Sequence, residues 1–299
     1  MVGLPCDMIV TNGKIVIGDM QGDSVLWIVD LENGKVQRGG AKGEGPREFQ
    51  DPVQIVPTDS GIVLHNRWHY TAIDCQIADT GLVLSGEQFK LPRYIDMLLS
   101  LDGERFVASG VFSKARYAMF NKKDTAAHFF GDFPEFMENE AKIINTSKSM
   151  FHQVCFGINR IQKKYISCSG HVLEVFDYAD NQKTPQLLFQ KLISAYDYWG
   201  SDNPDAVRIQ STGKTQSGVK EIYAVENRIY LLYDPNIYRE LKENEKPQPD
   251  ILLVYDWEGK PVKRFDLDTQ IREFCIDEKT NTLYCIIDNP NPALFKASI

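Results

Sequence analysis

The feature that most constrains this chain is a repeated unit of short β-rich runs separated by polar turns. Copies of the unit begin near Lys14, Gly61, Arg105, Lys164, Arg228 and Thr282. Corresponding points, 44 to 64 residues apart, are Asp19, Asn66, Gly110, Gly170, Asp234 and Asp288. That spacing is typical of four-stranded blades joined by variable loops. The sequence therefore predicts an all-β fold, a six-bladed β-propeller of mostly four-stranded antiparallel blades with short helical or irregular insertions.

The repeats run from end to end, so we predict a single domain over residues 1–299. Blades are expected at approximately 7–40, 50–91, 94–131, 151–193, 219–267 and 270–299. Long connections fall at 111–150 and 194–218, and 132–151 is the best candidate for a helix. The sixth unit supplies only three strands, and Met8–Val10 already has the pattern of an innermost strand of the first blade. We therefore expect a three-stranded sixth blade, unless sequence upstream of this chain supplies the fourth strand.

The stretch GAKGEGPREF, residues 40–49, falls between the first and second units. Glycines there allow positive φ, Pro46 fixes the direction of the chain, and Phe49 is placed to wedge between blades. A phosphate-binding loop would need a Gly-Lys-Ser/Thr ending and a following helix, which this stretch lacks. The stretch is interpreted as a corner between blades.

Composition restricts the class of partner. The formal net charge is -8 and the basic residues are scattered, so a nucleic-acid surface is not expected. No apolar run of about 18 residues is present to span a membrane. The six cysteines show no metal-binding spacing and several lie in apolar runs, which favours buried thiols. The first residues do not form an export signal, so the chain is cytoplasmic if Met1 is its native start.

Three segments carry a family resemblance. They are KGEGPREF within the corner, EIYAVENRIYLLYD from Glu221, and the closing stretch that begins PDILLVYDWEGKPVKRFDLD at Pro249. Together they resemble the TolB-like six-bladed β-propeller family of bacterial cell-envelope proteins, which are often lipoproteins. The corner also resembles the linker of NHL-type propellers. The resemblance implies a periplasmic or cell-envelope location and supplies no catalytic residue and no cofactor.

Two polar and aromatic segments are candidate ligand-binding surfaces. The first is the turn that contains His65, Arg67, Trp68 and His69. The second is the 194–218 connection, with Tyr196, Tyr198 and Trp199. Exposed aromatic residues beside polar groups suit carbohydrate or peptide ligands. The same aromatics of the second segment would equally well fill a gap between blades, and both interpretations stay open.

The corresponding points of the units suggest an alternative function. Oxygen-bearing side chains there are Asp19, Asn66, Asp234 and Asp288. If they converge in a central channel they would bind calcium, as in a lactonase- or esterase-like hydrolase. Asp and Asn also favour turns by bonding their own backbone. Because nucleophile motifs are absent, we expect a non-catalytic binding module. We expect it to be a monomer that binds a protein, peptide or carbohydrate ligand and has no cofactor. The calcium-dependent hydrolase is kept as the alternative.

Overall fold

The computed structural model describes residues 2–45, 47–179, 183–237, 249–287 and 291–299. Strands dominate, as the alternation of buried and exposed residues predicts. The chain divides into two compact units. The first contains 1–106, 120–126 and 271–299, and the second contains 107–119 and 127–270.

The first unit holds three complete sheets. The first sheet is β1 (Pro5–Thr11), β2 (Lys14–Asp19), β3 (Ser24–Asp30) and β4 (Val36–Ala41). The second is β5 (Val53–Pro57), β6 (Ile62–Asn66), β7 (Thr71–Ala78) and β8 (Gly81–Lys90). The sixth is β23 (Glu273–Asp277), β24 (Thr282–Ile287) and β25 (Ala293–Ser298). In each of these sheets neighbouring strands pair antiparallel in chain order.

The third sheet, whose residues are divided between the units, is β9 (Ile95–Ser100), β10 (Arg105–Gly110), β11 (Tyr117–Asn121) and β12 (Asp124–Phe130). The second unit holds the remaining sheets. The fourth is β13 (Cys155–Asn159), β14 (Lys164–Cys168), β15 (Val172–Asp177) and β16 (Gln186–Leu192). The fifth is β19 (Gln216–Ala224), β20 (Ile229–Ile237), β21 (Ile251–Tyr255) and β22 (Pro261–Asp266). A two-stranded ladder of β17 (Tyr198–Gly200) and β18 (Ile209–Ser211) lies between them in the chain.

These six sheets are the blades of a six-bladed β-propeller, which confirms the predicted fold class. Five blades have four strands. Within the described ranges the sixth has three, so the predicted departure of that blade from the others is confirmed. The described residues include no helix long and apolar enough to cross a membrane.

The corner between the first and second sheets is built as the sequence predicts. Gly40 has a φ of +70°, and a Cβ there would lie 2.6 Å from the Val25 side chain, so glycine is required. Phe49 is buried in the hydrophobic core shared by the two sheets, and its backbone N–H donates to Ala41 O at 3.0 Å. Pro46 lies outside the described residues.

The predicted helix over 132–151 is present only in part. A 3₁₀ turn covers Glu140–Lys142 and α1 covers Asn145–Phe151, whereas 131–136 is irregular. Pro134 explains the irregular start, because proline restricts the residue before it to extended conformations.

Candidate functional site

Two short connections of the first unit meet beside the second and third sheets. One is the turn 67–70 between β6 and β7, and the other is 91–94 between β8 and β9. The Leu91 N–H donates to Tyr70 O at 2.8 Å. The Arg67 guanidinium forms an ion pair with Asp96, at the start of β9. We call these two connections the aromatic loop pair.

The aromatic loop pair displays large rings to solvent. Trp68 is 68% exposed and Tyr94 is 60% exposed. His69 and Arg93 beside them are also exposed. Tyr70 and Tyr94 have φ values of +50° and +69°, a conformation that is unusual for bulky residues. Because backbone strain of this kind persists only where surrounding structure holds it, the paired loops form a preset surface.

His65 does not belong to this surface. It lies on β6, fully buried, with Nδ1 3.1 Å from Gln54 Oε1. Gln54 in turn exchanges two hydrogen bonds of 2.8 Å with the backbone of Leu98 on β9. Burial, assisted by the charge of Arg67, lowers the pKa of His65 to about 3. The structure therefore places the His65 side chain between strands, apart from the exposed residues of the turn.

The aromatic residues of the 194–218 connection were predicted either to bind a ligand or to fill a gap between blades, and the structure shows both exposed and buried rings. Trp199 is 53% exposed, whereas Tyr196 and Tyr198 are buried. The Tyr198 ring stacks on Phe151 of α1 with a centroid separation of 3.8 Å. Residues 132–152 and 194–215 thus fold together into a feature that we call the cap. Tyr196 and Tyr198 therefore pack inside the cap. Of these three aromatic residues, only Trp199 is exposed enough to contact a ligand.

A buried polar network holds the cap together. Glu140 accepts hydrogen bonds from the backbone of Phe136 and Met137, at 2.7 and 3.0 Å, and from the Tyr196 hydroxyl at 3.0 Å. His152 places Nε2 3.2 Å from Glu140 and Nδ1 3.2 Å from the Ser169 hydroxyl. Burial raises the pKa of Glu140, but the bonds from His152 and Met137 outweigh it and lower the pKa overall.

The burial of this network decides what it can do. Burial lowers the pKa of His152 to about 4, so the imidazole is neutral at pH 7. Glu140, His152 and Ser169 are all buried. The order Glu-His-Ser resembles a hydrolase triad, but no substrate can reach a hydroxyl enclosed in this way. We interpret the network as structural.

Asp19 is committed to protein contacts. Its carboxylate accepts from the backbone N–H groups of Gly3, Leu4 and Gln21 and from the Trp27 indole, at 2.7 to 3.0 Å. Partial burial raises the pKa of Asp19, and the amide hydrogen bonds outweigh that effect and lower it. The side chain fastens the first residues of the chain to the first sheet.

The other metal candidates differ from Asp19. The Asn66 Oδ1 and Asp234 Oδ2 atoms are buried and accept no hydrogen bond within the described part of the chain. Asp234 Oδ1 accepts from the backbone and side chain of Asn236 at 2.9 and 2.7 Å. Asp288 lies outside the described residues. Among the residues that are described, no group of three or more His, Cys, Asp or Glu side chains is arranged to hold a metal ion.

The blade pattern defines a class, the six-bladed β-propellers. The family model for TolB-like 6-blade propeller-like proteins matches residues 1–279. The chain belongs to this family. A comparison with curated proteins gives no match.

Solved structures share the fold at low identity. A protein from Lactobacillus plantarum is 10% identical, with 99% of this chain and 81% of that chain covered and a TM-score of 0.57. Kuenenia stuttgartiensis hydrazine synthase is 9% identical, with 100% and 97% covered and a TM-score of 0.53. A functionally unknown protein from Desulfotomaculum acetoxidans DSM 771 is 12% identical, with 87% and 71% covered and a TM-score of 0.50. At these identities the likeness shows the fold alone.

Sequence reasoning missed the second half of the aromatic loop pair. It selected Trp68 and passed over Arg93 and Tyr94, which are 25 and 26 residues away in the chain. The local signal was the string LPRY, an arginine and a tyrosine placed between two strands. The hydrogen bond from Leu91 to Tyr70 and the ion pair between Arg67 and Asp96 bring that string beside the turn that carries Trp68.

Proposed function

We propose that this propeller is a non-catalytic binding module that acts at the bacterial cell envelope. The observation that carries the proposal is the aromatic loop pair, where Trp68 and Tyr94 are exposed on two loops joined by a hydrogen bond and an ion pair. Rings held in place lose little conformational entropy when they stack on a sugar ring or a peptide side chain. The envelope location rests on membership of the TolB-like family.

Binding to defined glycans and peptides tests this proposal. The full chain would be screened on an array of cell-wall oligosaccharides and short peptides, and each hit would be titrated by calorimetry. We expect Trp68→Ala and Tyr94→Ala each to weaken the hit by at least about tenfold, because each removes a central ring contact. Trp199→Ala, an equally large change on the cap, should leave the affinity within about twofold. If the Trp68→Ala variant bound every hit with the same affinity as the wild type, the assignment of the aromatic loop pair as the binding surface would be refuted.

A second proposal, the calcium-dependent hydrolase, rests on the Oδ2 atom of Asp234, which is buried and accepts no hydrogen bond in the described ranges. The four donors on Asp19 count against that residue as a ligand. Calcium that raises the melting temperature of the wild type, but not of an Asp234→Asn variant, would support this function. In that case lactones and esters would be assayed as substrates. No calcium effect at millimolar concentration would dismiss it.

A further inference from the structure

A cavity of about 360 Å³ opens where the end of β12 lies beside β15 and β16. Every described residue that lines it belongs to the second unit, and none belongs to the aromatic loop pair. Its walls are mostly apolar and include Phe130, Phe133, Phe176, Pro185 and Leu187. A volume of this size is within the range of small-molecule sites.

The aromatic walls of this cavity are held in place by their neighbours. The rings of Phe130 and Phe176 are perpendicular, with their centroids 6.3 Å apart. The Tyr117 ring packs against both, at 5.5 and 5.4 Å. Phe176 also stacks on Tyr165 at 4.8 Å. Because the rings are already ordered, a ligand that contacts them pays little to immobilise them.

A polar group is also fixed at the cavity. Gln190, which lines it, donates through Nε2 to Glu174 Oε1 at 2.9 Å. The Gln190 Oε1 atom accepts no hydrogen bond from the described residues and is available to a ligand donor. Glu174 itself is buried and lies 2.9 Å from the Arg116 guanidinium, so this ion pair adds no net charge behind the cavity.

Charge indicates which kind of ligand fits. Among the described residues that line the cavity, Asp132 is the only one with a charged side chain. It is exposed and forms no ion pair with a described residue. Lys183 precedes Thr184, which lines the cavity, but is not itself part of the lining. A free carboxylate beside phenyl rings favours a cation, since the face of an aromatic ring is the negative part of its quadrupole.

The apolar walls indicate which kind of cation. A primary ammonium group is strongly hydrated and has three N–H donors that would lose water against phenyl and aliphatic groups. A quaternary ammonium group has no N–H donor and presents methyl groups to such walls, and aromatic sites recognise it for this reason.

We propose that this cavity is a binding site for a small molecule that carries a quaternary ammonium group. The ammonium group lies against Phe130 and Phe176, with Asp132 as its counter-charge. A hydroxyl group on the same molecule donates to Gln190 Oε1. The site is separate from the aromatic loop pair and gives the protein a second binding function.

Titration of the full chain with choline, followed by ligand-observed NMR, tests the proposal. The matched control ligand is the neutral isostere of choline, in which a carbon atom replaces the nitrogen. We expect saturable binding of choline and at least about tenfold weaker binding of the isostere, because only the charge differs. Equal affinities, or no saturable binding of choline up to about 10 mM, would overturn the proposal. Tighter binding of lysine amide than of choline would overturn the preference for a quaternary group.

Variants locate the bound choline. Leu187→Trp fills the cavity and should weaken binding at least about tenfold. Leu188→Trp, the same change at an equally exposed leucine outside the lining, should leave the affinity within about twofold. Asp132→Asn should weaken binding at least about fivefold, whereas Glu138→Gln, an exposed acid outside the lining, should not. Equal effects within either pair would overturn the assignment of the cavity.

The ring contribution has its own test. Phe130→Leu keeps an apolar wall and removes the aromatic face, so choline should bind at least about fivefold more weakly while the neutral isostere is little affected. An equal loss for both ligands would show that the ring acts by packing alone and would overturn the cation–ring contact. Trp68→Ala should leave choline binding unchanged. A loss in that variant would assign choline to the aromatic loop pair and overturn this site.

Discussion

Two regions of this protein combine aromatic rings with polar groups, and they use them in opposite ways. In the aromatic loop pair Trp68 is exposed, whereas in the cap Tyr198 is buried against Phe151. The turn 67–70 has four residues between two paired strands, too few to fold over its own side chains. The cap has about twenty residues in each of its two segments, enough to form α1 and the β17–β18 ladder. Connection length therefore decided whether aromatic residues became a surface or a core.

The largest expected effect is the loss of stability when the buried Tyr198 ring of the cap is removed. Tyr198→Ala removes a fully buried ring that stacks on Phe151, so we expect a loss of about 3–5 kcal/mol in the free energy of unfolding. The neighbouring Trp199→Ala removes an exposed ring and should change it by less than about 0.5 kcal/mol. Urea denaturation of both variants measures the difference. Similar losses for the two would mean that the cap does not bury Tyr198 in solution.

The polar network of the cap gives the next largest effect. In Glu140→Gln the new amide cannot accept all the hydrogen bonds from Phe136, Met137 and Tyr196 that the carboxylate accepts. Leaving buried donors without an acceptor should cost about 1–3 kcal/mol. Glu138→Gln, two residues away and exposed, is the matched control and should be neutral. A neutral Glu140→Gln variant, measured by thermal and urea unfolding, would show that the network is dispensable.

The pH dependence of stability tests the buried histidine behind the loop pair. His65 stays neutral in the folded protein until about pH 3, while the unfolded chain binds that proton near pH 6.5. The free energy of unfolding should therefore fall as pH drops from 6.5 towards 3, by up to about 1.4 kcal/mol per pH unit from this residue. His65→Gln should make the slope between pH 4.5 and 6.5 shallower. The exposed His69→Gln is the matched control, and an equal change in both variants would contradict the burial of His65.

The smallest expected effect comes from the positive φ of Tyr94, and it tests whether the aromatic loop pair is a preset surface. Tyr94 has a φ of +69°, which costs an L-residue roughly 1 kcal/mol and costs glycine little. Tyr94→Gly should therefore be more stable than Tyr94→Ala by about 1 kcal/mol, although both remove the same exposed ring. Equal melting temperatures for the two variants would show that the loop relaxes and that no strain is held there.

Much of the fold could be predicted because its signals are local and repeated. The strand near Val16 and the strand near Leu64 are each a short apolar run followed by turn residues, and both form as expected. The corner at Gly40 was also predictable, since glycine permits a positive φ whatever surrounds it. The three strands that the sixth sheet has within the described residues followed from counting strands in the closing segment.

The candidate site was predictable only in part. The exposure of Trp68 could be predicted from the sequence, because an aromatic residue in a short turn has few neighbours to pack against. His65, three residues earlier, lies on β6 and is buried, because Gln54 and the neighbouring β9 enclose it. Tyr196 and Tyr198 were ambiguous for the same reason, since the residues that cover them come from 132–152.

The sequence by itself determined the class of fold, the number of blades and the corners between them, because strand periodicity and turn chemistry act over a few residues. The tertiary structure alone decided which aromatic residues face solvent and that the connection carrying Tyr94 lies beside the turn carrying Trp68. Those outcomes depend on contacts between residues far apart in the chain. Burial and convergence are properties of such contacts, and no local pattern encodes them.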